Sequence, residues 1–301
     1  MILVADSGPT KTDWALINGV EVSYFNSEGY NPYYMDVNYI QQSVFQCFPE
    51  STLRYSVLEI YFYGAGCSLE RKDIVYTALA ICFKNAKILV ESDLLAAARC
   101  LLGNKEGFVA ILGTGTNTCF YNGKEIVEII DSLGFLVGDE GSGAHLGKQI
   151  IKAYVRGYLP NHLELLFSFT YGFSKLQLVS ALYASKLPNK FAAQFAVFAG
   201  NNIQNVFIKE LVASSFRDFF LGIIVHYKNY IGKEINFIGS VAFVFFEILV
   251  AVAAEFEMKV GKVNKTPLQY LVNFHMPNYS PSVNKKYLFS SHFKLIKTNN
   301  F

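Results

Sequence analysis

Hydrophobic positions in the first third of the chain follow two different periods. The opening stretch "MILVADSGPTKTDWALING" has two apolar runs on either side of a glycine-containing turn, which predicts a β-hairpin. Shorter runs predict further strands near 20–26, 58–66 and 86–92, and helical spacing predicts helices around 36–48, around 72–83 and from Asp93 onward. This alternation after an opening hairpin predicts an α/β domain with a mixed sheet.

A second hairpin pattern begins near residue 107 and repeats the first. "GFVAILGTGTNTCFYNG" again has an apolar strand, a glycine, a hydroxyl-rich turn and a second strand. Each hairpin carries an Asn-Gly pair, Asn18–Gly19 or Asn122–Gly123, which suits a type I′ turn. From about Gly143 the pattern is mainly helical. The two matching hairpins favour a duplicated α/β half, although a weak repeat of such a common motif also arises by chance.

The length of 301 residues accommodates two domains of ordinary size. We place the first at 1–104 and the second at 105–275, with a closing helix near 266–274 that packs back toward the first. The remaining residues, 276–301, are rich in Asn, Ser and Lys and show little periodicity. They are therefore predicted to form a tail outside the core.

Composition narrows the class of protein. The formal net charge is +2 with no basic run, so nucleic acid is not an expected partner. Five cysteines without a C-x-x-C pair favour buried, reduced thiols and a cytoplasmic protein, and no secretion signal is expected at the start. The apolar run Phe237–Phe256 approaches membrane-spanning length, but Gly239–Ser240 and Glu247 interrupt it. A strand, a turn and a buried helix fit it better than a membrane span.

The two glycine turns carry the residue types that bind phosphate. Gly8 and Gly113 allow close approach of backbone N–H groups, and hydroxyl and ammonium donors follow each of them. Asp6 at the strand end could hold Mg²⁺ through its water shell. The alternative is a plain turn capped by Asp6 or Asp13, which one turn alone would favour. Neither the P-loop spacing nor the dinucleotide G-x-G-x-x-G fingerprint is present.

Two further segments carry candidate acids. "ESDLLAAAR" places Asp93 at a strand-to-helix junction, where it could cap the helix, act as a general base, or do both. "SLGFLVGDEGSGAHLG" is a glycine-rich loop with an Asp-Glu pair, suited to binding neighbouring hydroxyls through Asp139 or, alternatively, to serving as a mobile connection. His145 has no partner at ligand spacing, so a packed or solvated histidine is expected rather than a metal ligand.

In this order, the motifs resemble the acetate and sugar kinase/Hsp70/actin superfamily. More closely, the chain resembles the BadF/BadG/BcrA/BcrD-type group that contains N-acetylglucosamine kinases, over about Met1 to His275. The matching segments are "DSGPTKTDWA", "ESDLLAAARC", "ILGTGTN", "GDEGSG", "FIGSVA" and "TPLQYLV". The combination of "GDEGSG" with "GTGTN" is the most specific part of the resemblance.

The resemblance implies two ribonuclease-H-like (actin-like ATPase) domains with a nucleotide cleft, ATP and Mg²⁺ as cofactors, and phosphorylation of an amino sugar at its 6-hydroxyl. It implies Asp93 as the catalytic base, which also contacts the sugar, and Asp6 as the residue that organises the metal. The implied nucleotide contacts are Gly8, Thr10, Lys11, Thr12, Gly113, Thr114, Gly115, Thr116, Asn117, Gly239 and Ser240. The implied sugar contacts, besides Asp93, are Asn31, Thr114, Gly138, Asp139 and Gly143.

Three departures from the family pattern bear on these roles. Pro9 removes one N–H donor from the first phosphate turn, "SLGF" replaces a glycine-tryptophan run of some relatives, and the tail matches nothing in the family. The leading substrate is N-acetylglucosamine, with glucosamine close behind. The alternatives are an ATPase activator of a 2-hydroxyacyl-CoA dehydratase-type enzyme and a non-catalytic nucleotide- or sugar-binding protein. A homodimer stays open.

Overall fold

The computed structural model describes residues 1–8, 11–276 and 286–287. The strands are β1 (Ile2–Ser7), β2 (Lys11–Asn18), β3 (Glu21–Glu28), β4 (Glu59–Gly64), β5 (Lys87–Ser92), β6 (Glu106–Leu112), β7 (Thr116–Asn122), β8 (Ile126–Glu128), β9 (Glu234–Ile238), β10 (Lys259–Asn264) and β11 (Lys286–Tyr287). The helices are α1 (Val37–Cys47), α2 (Ser51–Ser56), α3 (Lys72–Cys82), α4 (Asp93–Leu102), α5 (Gly134–Val137), α6 (Gly143–Val155), α7 (Asn161–Tyr171), α8 (Lys175–Ala184), α9 (Pro188–Ala193), α10 (Ala196–Asn201), α11 (Val206–Gly222), α12 (Ser240–Val244), α13 (Phe246–Glu255) and α14 (Leu268–His275).

Among the described residues, the first compact unit comprises Met1–Asn104, Pro267–Met276 and Lys286–Tyr287. Its mixed sheet has the order β11-β3-β2-β1-β4-β5, with β1–β2 and β2–β3 antiparallel and β1–β4 and β4–β5 parallel. One face of the sheet buries Trp14 against the helices α1 and α3, and the opposite face packs on α4 and α14. Because α14 contacts α4, β1 and β2, the last described helix completes the core of this unit.

The second compact unit comprises Lys105–Thr266. Its sheet has the order β10-β9-β6-β7-β8, with β6–β7 and β7–β8 antiparallel and β6–β9 and β9–β10 parallel. Counted within each unit, the order of the first five strands is the same: third, second, first, fourth, fifth. This shared order supports the duplication that the two hairpins suggested. Between its third and fourth strands the first unit has the helices α1 and α2, and the second unit has α5–α11.

The predicted α/β class and most predicted elements are confirmed. The opening hairpin, the strands β3, β4 and β5, the helices α1, α3 and α4, and the second hairpin all lie where the pattern put them. The pattern missed the short helix α2 and the edge strand β10. Strand β10 carries three polar residues in six and has one exposed side, so it has no continuous apolar run to reveal it.

The predicted type I′ turns at the two Asn-Gly pairs are wrong. Asn18 is the last paired residue of β2, so Gly19 and Val20 form the loop, and only Gly19 has a positive φ (61°). A type I′ turn needs positive φ at both central residues. In the second hairpin Asn122 Oδ1 accepts two backbone N–H hydrogen bonds from the longer loop that follows. In both hairpins the asparagine lies before the loop and not at its first position.

The apolar run Phe237–Phe256 forms the end of β9, a turn and the two helices α12 and α13, as predicted. In the part of the chain that the structure describes, no helix has the length and apolar character needed to cross a bilayer. The predicted tail, 276–301, lies outside the described residues except for Met276 and Lys286–Tyr287, which pairs in parallel with β3.

Candidate active site

Three parallel strands of the first unit end in one row. The register aligns Ser7 with Gly64, and Gly64 with Ser92, at the carboxyl ends of β1, β4 and β5. Asp6 directly precedes the end of β1, and Asp93 directly follows β5. The predicted metal carboxylate and the predicted base therefore lie at the same edge of one sheet, where open α/β sheets commonly bind ligands.

Asp93 begins α4 but does not cap it. The cap is Ser92, whose Oγ accepts a hydrogen bond from the Leu95 N–H at 3.2 Å. Burial raises the pKa of Asp93 from 3.8 to about 6, against hydrogen bonds from its own N–H and that of Leu94. Since serine performs the capping, the Asp93 carboxylate is available for another role. A carboxylate with a raised pKa next to a strand end has the properties of a general base.

Asp6 lies among other charged side chains. Its cross-strand partner in the β1–β2 ladder is Asp13, and Lys11 Nζ contacts Asp13 Oδ2 at 2.9 Å. Burial, reinforced by the negative charges of Asp93 and Asp13, raises the pKa of Asp6 to about 7, and the Lys11 charge opposes this. A nearby cation would stabilise the charged form of such a partly buried carboxylate.

The first glycine turn is closed by the Gly8 N–H, which donates to the Lys11 carbonyl at 2.9 Å. Thr12 is fully buried, its Oγ1 hydrogen-bonded to Ser7 Oγ at 2.7 Å and to the Glu28 carbonyl at 2.9 Å. The Thr12 hydroxyl thus joins three strands within the sheet. Lys11 is exposed, with 60% of its side chain accessible. Pro9 and Thr10, of which Thr10 is a predicted phosphate contact, lie outside the described residues.

The predicted sugar contact Asn31 lies against the loop that follows β4. Its Oδ1 accepts a hydrogen bond from the Tyr33 N–H at 2.9 Å. Gly66 has a φ of +78°, and a Cβ there would lie 2.5 Å from Asn31 Oδ1. Only glycine therefore permits this approach. Sequence reasoning missed Gly66 as a partner of Asn31, although the "GAG" after an apolar strand was a visible signal.

In the second unit, the glycine turn Gly113–Asn117 and the segment 138–143, called here the acidic loop, are bound directly to each other. The Gly143 N–H donates to the Gly113 carbonyl at 2.8 Å, and the Ala144 N–H to the Thr114 carbonyl at 3.0 Å. A Cβ on Gly143 would lie 3.2 Å from the Gly113 carbonyl oxygen. Within the second unit, residues predicted to bind phosphate thus lie next to residues predicted to bind sugar.

Asp139 is buried at the centre of the acidic loop. Its Oδ1 accepts the Thr116 N–H at 3.0 Å, and a Cβ on Gly115 would lie 3.1 Å from its Oδ2. Burial raises its pKa, while hydrogen bonds from Thr116 and Ser132 oppose the shift. The backbone at Asp139 is left-handed, with φ 59°, and a Cβ on Gly138 would lie 1.9 Å from the Ser132 carbonyl oxygen.

The predicted adenosine motif joins the same turn. Gly239 has φ 125° and ψ 157°, a conformation restricted to glycine. A Cβ at Gly239 would lie 2.2 Å from the Leu112 carbonyl oxygen and 3.1 Å from the Gly113 nitrogen. Ser240 begins α12 and is exposed. The three glycine segments therefore form one cluster at the end of β6 and β9.

Asn117, His145 and the cysteines are the remaining residues for which the sequence made a prediction. Asn117 Oδ1 accepts a hydrogen bond from the Thr118 N–H at 3.0 Å. His145 is packed, as expected: its Nδ1 is hydrogen-bonded to Ser215 Oγ at 2.8 Å, and burial lowers its pKa to about 4. No disulfide joins the five cysteines, all of which lie among the described residues: Cys67, Cys82, Cys100 and Cys119 are buried, and Cys47 is partly buried.

Comparison with known structures identifies the family. The "Putative N-acetylglucosamine Kinase" from Porphyromonas gingivalis is 34% identical, with a TM-score of 0.87 over 92% of this chain and 99% of that one. The chain belongs to this sugar kinase family. Two more distant sugar kinase structures, at 14% and 12% identity, share the fold alone. They are the "Putative N-acetylglucosamine Kinase" from Chromobacterium violaceum (TM-score 0.67) and a "putative N-acetylmannosamine kinase" from Listeria monocytogenes (TM-score 0.55).

Neither a protein-family model nor a curated protein matches the chain. The similarity to the Porphyromonas gingivalis structure confirms the predicted resemblance to sugar kinases with an actin-like fold. The BadF/BadG/BcrA/BcrD-type assignment stays a prediction from the motifs.

Proposed function

We propose that this sugar kinase transfers the γ-phosphate of ATP to the 6-hydroxyl of an amino sugar, with N-acetylglucosamine the leading substrate. The observation that carries the proposal is the similarity to the Porphyromonas gingivalis protein over 92% of the chain, combined with an Asp93 carboxylate that is not used as a helix cap. Similarity in the two more distant structures is limited to the fold.

In the proposed reaction, Asp93 accepts the proton of the sugar hydroxyl as its oxygen attacks the γ-phosphorus. A bond forms between that oxygen and phosphorus, the bond to the β-phosphate oxygen breaks, and ADP leaves. Most of the rate gain in phosphoryl transfer comes from positioning and charge stabilisation, and a base adds about 10²–10⁴-fold. We assign the phosphates to the turns Gly8–Thr12 and Gly113–Asn117, and the nucleoside to Gly239 and Ser240.

Mg²⁺ would neutralise phosphate charge, and Asp6 is the residue that would hold it. No group of three or more acidic, histidine or cysteine side chains within residues 1–8 and 11–276 is arranged to bind a metal. Mg²⁺ takes one or two protein carboxylates and completes its shell with water and phosphate, so the proposal needs no protein ligand besides Asp6. We assign the sugar to Asn31, Asp93, Thr114 and the acidic loop through Gly138, Asp139 and Gly143.

The test is a coupled ADP-release assay over N-acetylglucosamine, glucosamine, N-acetylmannosamine and glucose. We expect turnover to be highest with N-acetylglucosamine, and NMR of the product to show phosphate on the 6-oxygen. Binding of ATP with no turnover on any of these sugars would contradict the proposal and favour a non-catalytic binding protein.

The pH dependence of the rate should reflect Asp93. Its pKa is raised to about 6, and a base must be deprotonated to act, so activity should rise with pH through about 6 and level off above it. Asp6, with a pKa near 7, should move the midpoint upward when Mg²⁺ is limiting, because the cation favours the charged carboxylate. The measurement is kcat/KM from pH 5 to 8.5 at saturating and limiting Mg²⁺. A flat profile at saturating Mg²⁺ would exclude Asp93 as the base.

A further inference from the structure

Two polar groups of Thr116, its backbone N–H and its hydroxyl, are bound to the acidic loop. Its N–H donates to Asp139 Oδ1 at 3.0 Å, and its Oγ1 donates to the Glu140 carbonyl at 2.6 Å. The side chain is buried, with 6% of the residue exposed. The hydroxyl therefore serves a contact inside the protein, and two consecutive loop residues are attached to one residue at the start of β7.

The part of the loop that Thr116 contacts is the part under backbone strain. Asp139 has a φ of 59°, which is unfavourable for a residue other than glycine and persists only where neighbours hold it. Its backbone N–H donates to the Ser132 carbonyl at 2.9 Å, and its carbonyl accepts the Ser142 N–H at 3.1 Å. The backbone hydrogen bonds that the Gly113 and Thr114 carbonyls accept come from Gly143 and Ala144, which follow Asp139 in the chain.

We propose that Thr116 is a positioning residue, which fixes the acidic loop relative to the glycine turn and so aligns the sugar with the phosphate to be transferred. This inference rests on the proposed function, in which the turn binds phosphate and the loop binds sugar. Misplacement of reacting groups by about 1 Å can lower a rate by about 10²-fold. The hydroxyl of Thr116 thus acts through Glu140 and Asp139 and does not itself contact the nucleotide.

The chain offers a matched control two residues further along the same strand. Thr118 is also buried, at 1% exposure, and its Oγ1 is hydrogen-bonded to Tyr227 Oη at 2.8 Å. Its Oγ1 also donates to the Ile130 carbonyl at 3.4 Å, so both of its contacts lie outside segment 138–143. Thr116→Val and Thr118→Val each replace a buried hydroxyl with a methyl group of similar size and leave the backbone N–H in place. Thr116→Ser restores the hydroxyl.

In an active enzyme, we expect Thr116→Val to lower kcat about tenfold. The Kd values for ATP and for the sugar, each measured alone by calorimetry, should stay within about twofold, because neither binding surface is removed. Thr118→Val should keep a kcat close to that of the unaltered protein, and Thr116→Ser should recover most of it. Equal losses of kcat in the two valine variants would overturn the proposal.

A second readout does not require catalysis. Hydrogen–deuterium exchange of the acidic loop, 138–143, should become about tenfold faster in Thr116→Val and stay unchanged in Thr118→Val. If the unaltered protein phosphorylates no sugar, the proposed function fails, but the exchange result still decides whether Thr116 holds the loop. Unchanged exchange in Thr116→Val would refute that role in either case.

Discussion

Asp93→Asn should abolish sugar-dependent ADP release, by a factor of about 10²–10⁴, while ATP binding persists. Asparagine keeps an oxygen that can accept the Leu94 N–H, and Ser92 still caps α4, so the helix start should be preserved. What is lost is the group that accepts the proton of the attacking hydroxyl. The measurement is kcat by coupled ADP release, with Kd for ATP by calorimetry.

The same variant should be more stable than the parent at pH 8. Burial raises the pKa of Asp93 from 3.8 to about 6, so stability falls as pH rises between these values and the folded chain then carries a disfavoured charge. Asparagine removes that charge. Loss of activity with a raised Tm would separate a catalytic role from misfolding.

Asp73→Asn is the matched control, because Asp73 is an exposed acid in the first turn of α3. We expect its kcat to stay unchanged and its Tm not to rise. Unimpaired turnover in Asp93→Asn would remove Asp93 from the role of base. A lowered Tm in that variant would contradict the burial argument.

Gly239→Ala should cause a large loss of stability. The φ of 125° with ψ 157° is essentially restricted to glycine, and an added Cβ would lie 2.2 Å from the Leu112 carbonyl oxygen. Backbone atoms on β6 would have to move. We expect a loss of about 3 kcal/mol in the free energy of unfolding, measured by urea denaturation, and at least tenfold weaker ATP binding.

Gly200→Ala provides the comparison in the same unit. Gly200 lies in α10, and a Cβ there would be at an ordinary 3.6 Å from the nearest atom, in Val244. Because alanine favours helix over glycine, stability should stay equal or rise by up to about 1 kcal/mol. If both alanine variants unfolded at the same urea concentration, the argument that β6 leaves no room for a Cβ at Gly239 would be refuted.

The local predictions depended on how strongly each segment was determined by its own residues. Strands β1 and β4 each contain a run of four apolar residues, and α4 has both a cap and an apolar face, so each was identified directly. The helix cap was assigned less well. Asp93 and Ser92 are both favoured capping residues, and sequence could not choose between them. The structure gives the cap to Ser92, and this choice leaves Asp93 free for chemistry.

The hydrogen-bond partners of individual threonine hydroxyls could not be predicted from the sequence either. Thr12 and Thr116 both follow a glycine turn and both were expected to face phosphate. Their phosphate contacts stay a prediction, and in the structure each hydroxyl is hydrogen-bonded within the protein, Thr12 to Ser7 and Glu28, and Thr116 to Glu140. A β-strand alternates its side chains between two faces, and only the strand register decides which face a given threonine occupies.

The sequence by itself determined the α/β class, the paired hairpins, the glycine turns and the acids that follow the strands, because these depend on local periodicity and turn chemistry. Only the tertiary structure decided that Asp6 and Asp93 lie at one sheet edge, and that the acidic loop is bound to the turn Gly113–Asn117. These relations join residues far apart in the chain. They follow from strand order, hydrogen-bond register and close glycine packing, which no local pattern encodes.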